Sequence, residues 1–251
     1  MQHIQLKNKL AIDKMRTAGK RLATILKEIE PLVVAGISTW ELDAEIEGRM
    51  RALALKPVCK GYGSYRHATC ISVNNVVVHG IPSKDTILKS GDFVKIDVVG
   101  SFENYCADMA RPFFVGAVDE RVQRLAAVAK SALNKAIALI KPGIFLSDIS
   151  ACIQEEVEQA GFGVVRYFSG HGIGKSLHEA PDVPNYGEAG EGPVLREGMT
   201  LAIEPMITEG SYEIVIMPDG WTAKTKDGGL AAHEEDTIVV TRDGVEILTR
   251  L

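Results

Sequence analysis

The sequence predicts an α+β fold built by duplication, in which helices cover a central curved antiparallel sheet and two halves are related by a pseudo-twofold axis. Three observations carry this reading. Element patterns run helix, helix, strands and then helix, helix, strands; landmark residues of the two halves superpose at one constant spacing of 107; and an acid stands at the matching place of a matching strand in each half.

Residues 10 to about 54 read as helical, with Met15, Leu22, Ile25, Leu26 and Ile29 on one stripe and a break at Pro31. Ser38 is placed to cap a second helix bearing Leu42, Ile46 and Met50. Short β-like runs follow at residues 70–73, 76–78, 93–99 and 107–115, separated by Asn, Gly and Pro. Two further helices, from about 120 to 140 and from 147 to 160, give way to β-like segments around Val164, Leu201, Ile214 and Ile238.

The halves align residue by residue. Gly36 and Ile37 precede the helix of Leu42 and Ile46, and Gly143 and Ile144 precede the helix of Ile149 and Ile153. The same spacing carries Asp97, in Val94-Lys95-Ile96-Asp97-Val98, onto Glu204, in Leu201-Ala202-Ile203-Glu204-Pro205. Side chains alternate along a strand, so Val94, Ile96 and Val98 face one way and Lys95 and Asp97 the other; Leu201 and Ile203 likewise oppose Ala202 and Glu204. Each half thus offers an apolar face to helices and an acid to the opposite side. We expect one catalytic domain, 1–251, with halves of roughly 1–116 and 117–251.

Composition bounds the class. Of 251 residues, 46% are hydrophobic and 24% charged, as in globular proteins, and the net charge of −5 argues against nucleic acid as the principal ligand. No apolar run approaches the ~18 residues of a membrane helix, and the first ten residues lack the apolar core of a secretory signal. Cys59, Cys70, Cys106 and Cys152 lie far apart without a CxxC pair, which fits reduced thiols in a cytoplasmic protein.

Three histidines stand in glycine-rich, turn-like surroundings: His79 in Val78-His79-Gly80-Ile81-Pro82, His171 in Gly170-His171-Gly172-Ile173-Gly174, and His178 in Leu177-His178-Glu179. Taken singly, each is more often a structural histidine, and an acid in a strand is more often a solvated edge residue or an ion-pair partner. Asp97, Asp108, Glu204 and Glu235 together with one imidazole are another matter. Oxygen-rich sites with one imidazole suit Mn²⁺ or Fe²⁺, with Co²⁺ and Zn²⁺ also accommodated, and two bridging carboxylates would hold ions ~3.5–4 Å apart.

Over nearly its whole length the chain resembles the type I methionine aminopeptidases, which have the pita-bread (creatinase/aminopeptidase) fold. The marks are Val78-His79-Gly80-Ile81-Pro82, Gly91-Asp92 to Ile96-Asp97-Val98, Ala107-Asp108, Gly170-His171-Gly172-Ile173-Gly174, His178-Glu179, Gly198-Met199 to Ile203-Glu204-Pro205-Met206, and Glu235-Asp236-Thr237. Any one is weak; in combination and order they are specific.

The resemblance implies a hydrolase that removes the initiator methionine of nascent proteins when the second residue is small. It makes Asp97, Asp108, His171, Glu204 and Glu235 the metal ligands, with Asp108 and Glu235 bridging; Glu235 is taken over Glu234 because the family's ligand stands two residues before Thr237. Two divalent ions are implied, drawn from Co²⁺, Mn²⁺, Fe²⁺, Zn²⁺ and Ni²⁺, and an additional monovalent cation is admitted. A metal-activated water would attack the peptide carbonyl, with Glu204 as general base, His178 steadying the oxyanion and His79 serving the scissile amide. Cys59, Tyr62, Tyr65, Cys70, Leu177 and Trp221 would wall the methionine pocket. The implied partners are nascent N-termini and, transiently, the ribosome; neither a membrane nor a nucleic acid is a primary ligand, and the chain is expected to be a monomer.

Five positions depart from the family pattern. Val99 and Ala202 stand where Thr is common, Cys106-Ala107 replaces a frequent His-Gly, and Glu234 stands where an aromatic is expected. None removes a ligand, but neighbours of ligands tune metal preference and rate. The rivals are a prolidase or proline-directed aminopeptidase of the same fold, and a non-catalytic binding relative. The proline-directed relatives usually carry a long extra N-terminal domain, whereas about 70 residues are expected before the first catalytic strand here, and retention of all five ligands speaks against the binding relative.

Overall fold

In the computed structural model, which describes residues 3–251, helix α1 spans Lys9–Ile29, a 3₁₀ turn follows at Glu30–Leu32, and α2 spans Thr39–Ala52. Strands β1 (Lys56–Pro57), β2 (Thr69–Val73), β3 (Val76–Val78), β4 (Phe93–Phe102) and β5 (Tyr105–Phe114) complete the first half. Helices α3 (Glu120–Leu139) and α4 (Leu146–Gln159) open the second half, followed by β6 (Gly163–Val164), β7 (Ser169–Gly172), β8 (Glu179–Pro184) and β9 (Thr200–Ile203). The chain closes with β10 (Met206–Thr208), β11 (Ile214–Ile216), β12 (Ala223–Thr225), β13 (Ala231–His233), β14 (Glu235–Val240) and β15 (Val245–Ile247).

Local chemistry sets the helix ends. The Asn8 side chain accepts from Ala11 N–H at 2.9 Å and starts α1, which gives way to the 3₁₀ turn at Pro31, where no N–H can continue the ladder. Ser38 and Glu41 form a capping box on α2: the Ser38 hydroxyl accepts from Glu41 N–H, and the Glu41 carboxylate from Ser38 N–H at 2.9 Å. At the equivalent place before α4, the Asp148 carboxylate accepts from Phe145 N–H, also at 2.9 Å.

The duplication is visible in the backbone. Gly36 and Gly143 share a φ of 98°, the left-handed region open to glycine. Gly36 N–H donates to Leu88 O and Gly143 N–H to Leu195 O, while Leu88 and Leu195 N–H return bonds to Ile37 and Ile144, each at 2.8 Å. Isolated bridges pair Ser38 with Ile87 and Phe145 with Val194. All these partners stand 107 positions apart, so the spacing read in the sequence is the spacing of the repeated unit.

The main sheet is curled and antiparallel throughout, with nine strands in the order β1-β4-β5-β14-β9-β7-β8; β2 flanks β4 and β15 flanks β14. Two apolar cores lie on its outer face. In one, α1 and α2 pack on Val94, Ile96, Val98, Ala107 and Met109; in the other, α3 and α4 pack on Leu201, Ile203, Ile238 and Val240. Fully burying one such side chain contributes about 1.5–3 kcal/mol, so these faces hold the helices to the sheet. The halves meet where β5 pairs β14, with Glu235 opposite Ala110 and Asp236 opposite Met109. Fully buried Asp236 accepts from Arg111, Arg250 and the Thr249 hydroxyl and fastens this seam from the helix side.

Candidate active site

Five adjacent strands each bring one side chain to the inner face. In sheet order, β4 carries Asp97, β5 carries Asp108, β14 opens with Glu235, β9 leads directly into Glu204, and β7 carries His171. Thr237 ties two of these strands together: its hydroxyl accepts from Asp108 N–H at 2.9 Å and donates to Asp108 O at 2.8 Å. Ligand atoms of Asp108, His171 and Glu235 all lie within 4.8 Å of one another. His171 Nε2 is 3.5 Å from Glu204 Oε1 and 3.9 Å from Asp108 Oδ2. Alternation along the strand separates the two candidates at the last motif, since Glu235 joins this cluster while Glu234 lies beside Arg111 and Lys130 in a cleft on the helix side.

The glycines around His171 have a different role from the one their turn-like appearance suggests. His171 lies within a strand, and a Cβ on Gly170 would stand 2.4 Å from Ala202 O, one on Gly172 2.2 Å from Ala180 O. The strands on either side approach so closely that only glycine fits. The imidazole is thereby set deep in the sheet rather than in an accessible loop.

Burial dominates the electrostatics. Asp97, Asp108, Glu204 and Glu235 all have raised pKa values, first because burial penalises the charged form, and Asp108 and Glu235 are raised further by their carboxylate neighbours. Burial lowers His79, His171 and His233 to about 4, so these imidazoles are neutral near pH 7. Asp97 Oδ1, Asp108 Oδ1 and Glu235 Oε1 are buried with no hydrogen-bond partner. Crowded, desolvated acceptors of this kind are costly unless a cation receives them. His171 Nδ1 lies 2.9 Å from Gly172 O, which assigns the hydrogen to Nδ1 and leaves the Nε2 lone pair directed at the acids. The donor set therefore fits divalent cations.

Beside the acids opens a cavity of about 170 Å³. Cys59, Tyr62, Tyr65, Cys70, Leu177 and Trp221 line it together with His79, His178 and the five acid and imidazole positions. Cys59, Cys70, Tyr65 and Leu177 are buried in its wall, while Tyr62 is exposed at the mouth. The Tyr65 hydroxyl donates to Thr69 O at 2.8 Å, and Trp221 Nε1 donates to Ser64 at 3.1 Å, so both rings are anchored by their polar ends. His79 adopts φ of 59°, rare outside glycine, and its ring packs edge-on against Phe168 at 5.0 Å. His178 stacks edge-on to His171 with ring centroids 4.3 Å apart.

Val99, read in the sequence only as a departure from the family pattern, lines the cavity. One residue of this region was not singled out from the sequence. His233 is buried with Nε2 3.6 Å from Glu204 Oε2. Its one sequence signal is its place two residues before Glu235, and the break between β13 and β14 at Glu234 hides that periodicity.

A duplicated pita-bread sheet gathering four acids and one imidazole into one buried cluster defines a class, and residues 13–242 match the metallopeptidase family M24, to which the chain belongs. Among its relatives it is 45% identical over 246 residues to methionine aminopeptidase A of Synechocystis sp., covering 98% of this chain and 97% of that protein. The crystal structure of a methionine aminopeptidase from Thermotoga maritima superposes with a TM-score of 0.98 at 48% identity, covering 99% of this chain and all of that one. A prolidase from Pyrococcus furiosus shares the fold at 24% identity and a TM-score of 0.79, but this chain spans only 65% of its length.

Proposed function

We propose that this chain is a methionine aminopeptidase, releasing the first residue of polypeptides that begin with methionine followed by a small residue. The observation that carries the reading is the juxtaposition, in one cavity, of the acid cluster with a wall of thiol and aromatic side chains. Methionine is flexible and polarizable, and such a wall receives its thioether by dispersion. Relatedness to methionine aminopeptidases over essentially full length supports this over the proline-directed alternative.

Asp97, Asp108, His171, Glu204 and Glu235 would hold two divalent ions, which when bound would supply Lewis acidity and lower the pKa of water toward neutrality. Glu204 takes the proton of the attacking water. His178 donates to the developing oxyanion from Nε2, the ring being oriented by Tyr62 at its Nδ1. His79 holds the scissile amide and assists delivery of the proton taken up by Glu204 to the leaving amine. Because its ring is wedged beside Phe168 and Trp221, it also limits the size of the second residue.

The four cysteines are free, and no helix among the described residues is long and apolar enough to cross a membrane. Both facts accord with action in the cytoplasm on nascent N-termini, with the ribosome as a transient partner. The test is methionine release from Met-Ala-Ser and Met-Leu-Ser by protein supplied with Mn²⁺ or Co²⁺, beside metal analysis. Fast release from Met-Ala-Ser alone is expected. Equal rates on the two peptides would overturn the specificity, and no release from either would overturn the activity.

A further inference from the structure

Glu204 lies between two imidazoles. Its Oε1 is 3.5 Å from His171 Nε2, and its Oε2 is 3.6 Å from Nε2 of His233. His171 belongs to the acid cluster, but His233 does not line the cavity, and its fully buried Nε2 has no hydrogen-bond partner. It is also held firmly in place. His233 ends β13 and pairs across the sheet with Met206, two residues beyond Glu204, so the backbone that carries the carboxylate also fixes the imidazole beside it.

We propose that His233 is a positioning residue for Glu204, donating Nε2–H to Oε2 so that Oε1 is left turned toward the reacting centre. A separation of 3.6 Å is a few tenths longer than a formed bond, and contacts of this kind tighten when the reacting complex assembles. Either charge state of the ring can carry a hydrogen at Nε2, so the role does not depend on its titration. With Oε2 tethered, rotation of the carboxylate is restricted and one oxygen is committed to the proton. Without the tether the two oxygens become interchangeable and the carboxylate can turn away from the water, and a displacement of about 1 Å can cost up to 10²-fold in rate. The residue lies outside the cavity lining, so its effect is expected on turnover.

The inference rests on Glu204 being the base, and the experiment separates the two. His233→Leu removes the donor, and His233→Gln restores an N–H at nearly the same place. On Met-Ala-Ser, the Leu variant is expected to lose about tenfold or more in kcat, with KM within about twofold and the metal content of the native protein. The Gln variant is expected to keep at least about half of the native kcat. Should the Leu variant fail to fold, His233→Asn, polar but too short to reach Glu204, takes its place. Native kcat in the Leu variant, equal losses in Leu and Gln, or a loss confined to KM or to metal content would each overturn the proposal. Glu204→Gln completes the set: if it stays active, the assignment of the base fails, whereas an inactive Glu204→Gln beside unimpaired His233 variants overturns the role of His233 alone.

Discussion

The Tyr62 hydroxyl lies 2.8 Å from His178 Nδ1, within reach to donate to that nitrogen. A phenol donating to Nδ1 leaves the imidazole hydrogen on Nε2, the edge available to a substrate oxygen. Tyr62 is exposed at the cavity mouth, so its replacement leaves the core intact. Tyr62→Phe is expected to lower kcat by roughly fivefold, the equivalent of one neutral hydrogen bond of about 1 kcal/mol, without altering metal content. Steady-state kinetics on Met-Ala-Ser check this, and an unchanged kcat would show that the ring orients itself.

His178→Ala removes the donor outright. The expected loss is about 10² or more in turnover, by analogy with deletion of an oxyanion donor, with both metal equivalents retained. Metal analysis of the purified variant decides the point, because a loss of metal would move His178 from the substrate side to the ligand side.

Asp108→Ala and His171→Ala should behave in the opposite way. Each removes an atom of the group that lies within 4.8 Å of its fellows, and each is expected to abolish methionine release together with metal binding. Calorimetric titration with Mn²⁺ reads the affinity directly; native affinity in either variant would contradict its place among the ligands.

Asp236 predicts a stability effect. Its carboxylate is fully buried and receives Arg111, Arg250 and Thr249 across the seam between the halves, and Arg111 also reaches the backbone oxygen of Glu235. Asp236→Ala would leave guanidinium groups without a counter-charge, a change that costs about 3–5 kcal/mol when the pair is buried. Partial exposure of Arg250 puts the expectation at the lower end of that range. Urea unfolding would measure it, and a cost under about 1 kcal/mol would mean that the seam is held by other contacts.

The Lys7–Glu179 pair predicts a pH dependence. Burial alone would raise the Glu179 pKa, but Lys7 at 2.5 Å and backbone N–H groups of Ser176 and Lys175 outweigh it and bring the carboxyl below its ordinary value. A pKa depressed in the folded state stabilises the fold above the unfolded value of about 4.3 and is lost as pH falls through the folded value. Lys7→Met should therefore be less stable than the parent near pH 7, and the difference should shrink as pH drops below about 4. Parallel denaturant curves at the two pH values test it; a difference independent of pH would assign the effect to packing.

Much of the architecture is legible in one dimension because it is written in local periodicity. The stripe of Met15, Leu22 and Ile29, the cap at Ser38, and the alternation of Val94, Ile96 and Val98 against Asp97 depend on neighbours within a few residues. The repeat of 107 was legible because both copies keep the glycine with positive φ before the second helix. Strands β1, β7, β8, β10, β12, β13 and β15 were not read. They span two to six residues and hold their place through pairing rather than through a pattern of their own.

The sequence by itself therefore determined the helices and the longer strands, the duplication, and the side of the strands bearing Asp97 and Glu204 on which the acid stands. Only the tertiary structure decided that β14 lies between β5 and β9, so that Asp108, Glu235 and Glu204 come from neighbouring strands, and that His233 stands against Glu204. The physical reason is that alternation settles the face of a residue within its own strand, whereas adjacency of strands is a long-range pairing chosen by how two helix-covered halves close on each other.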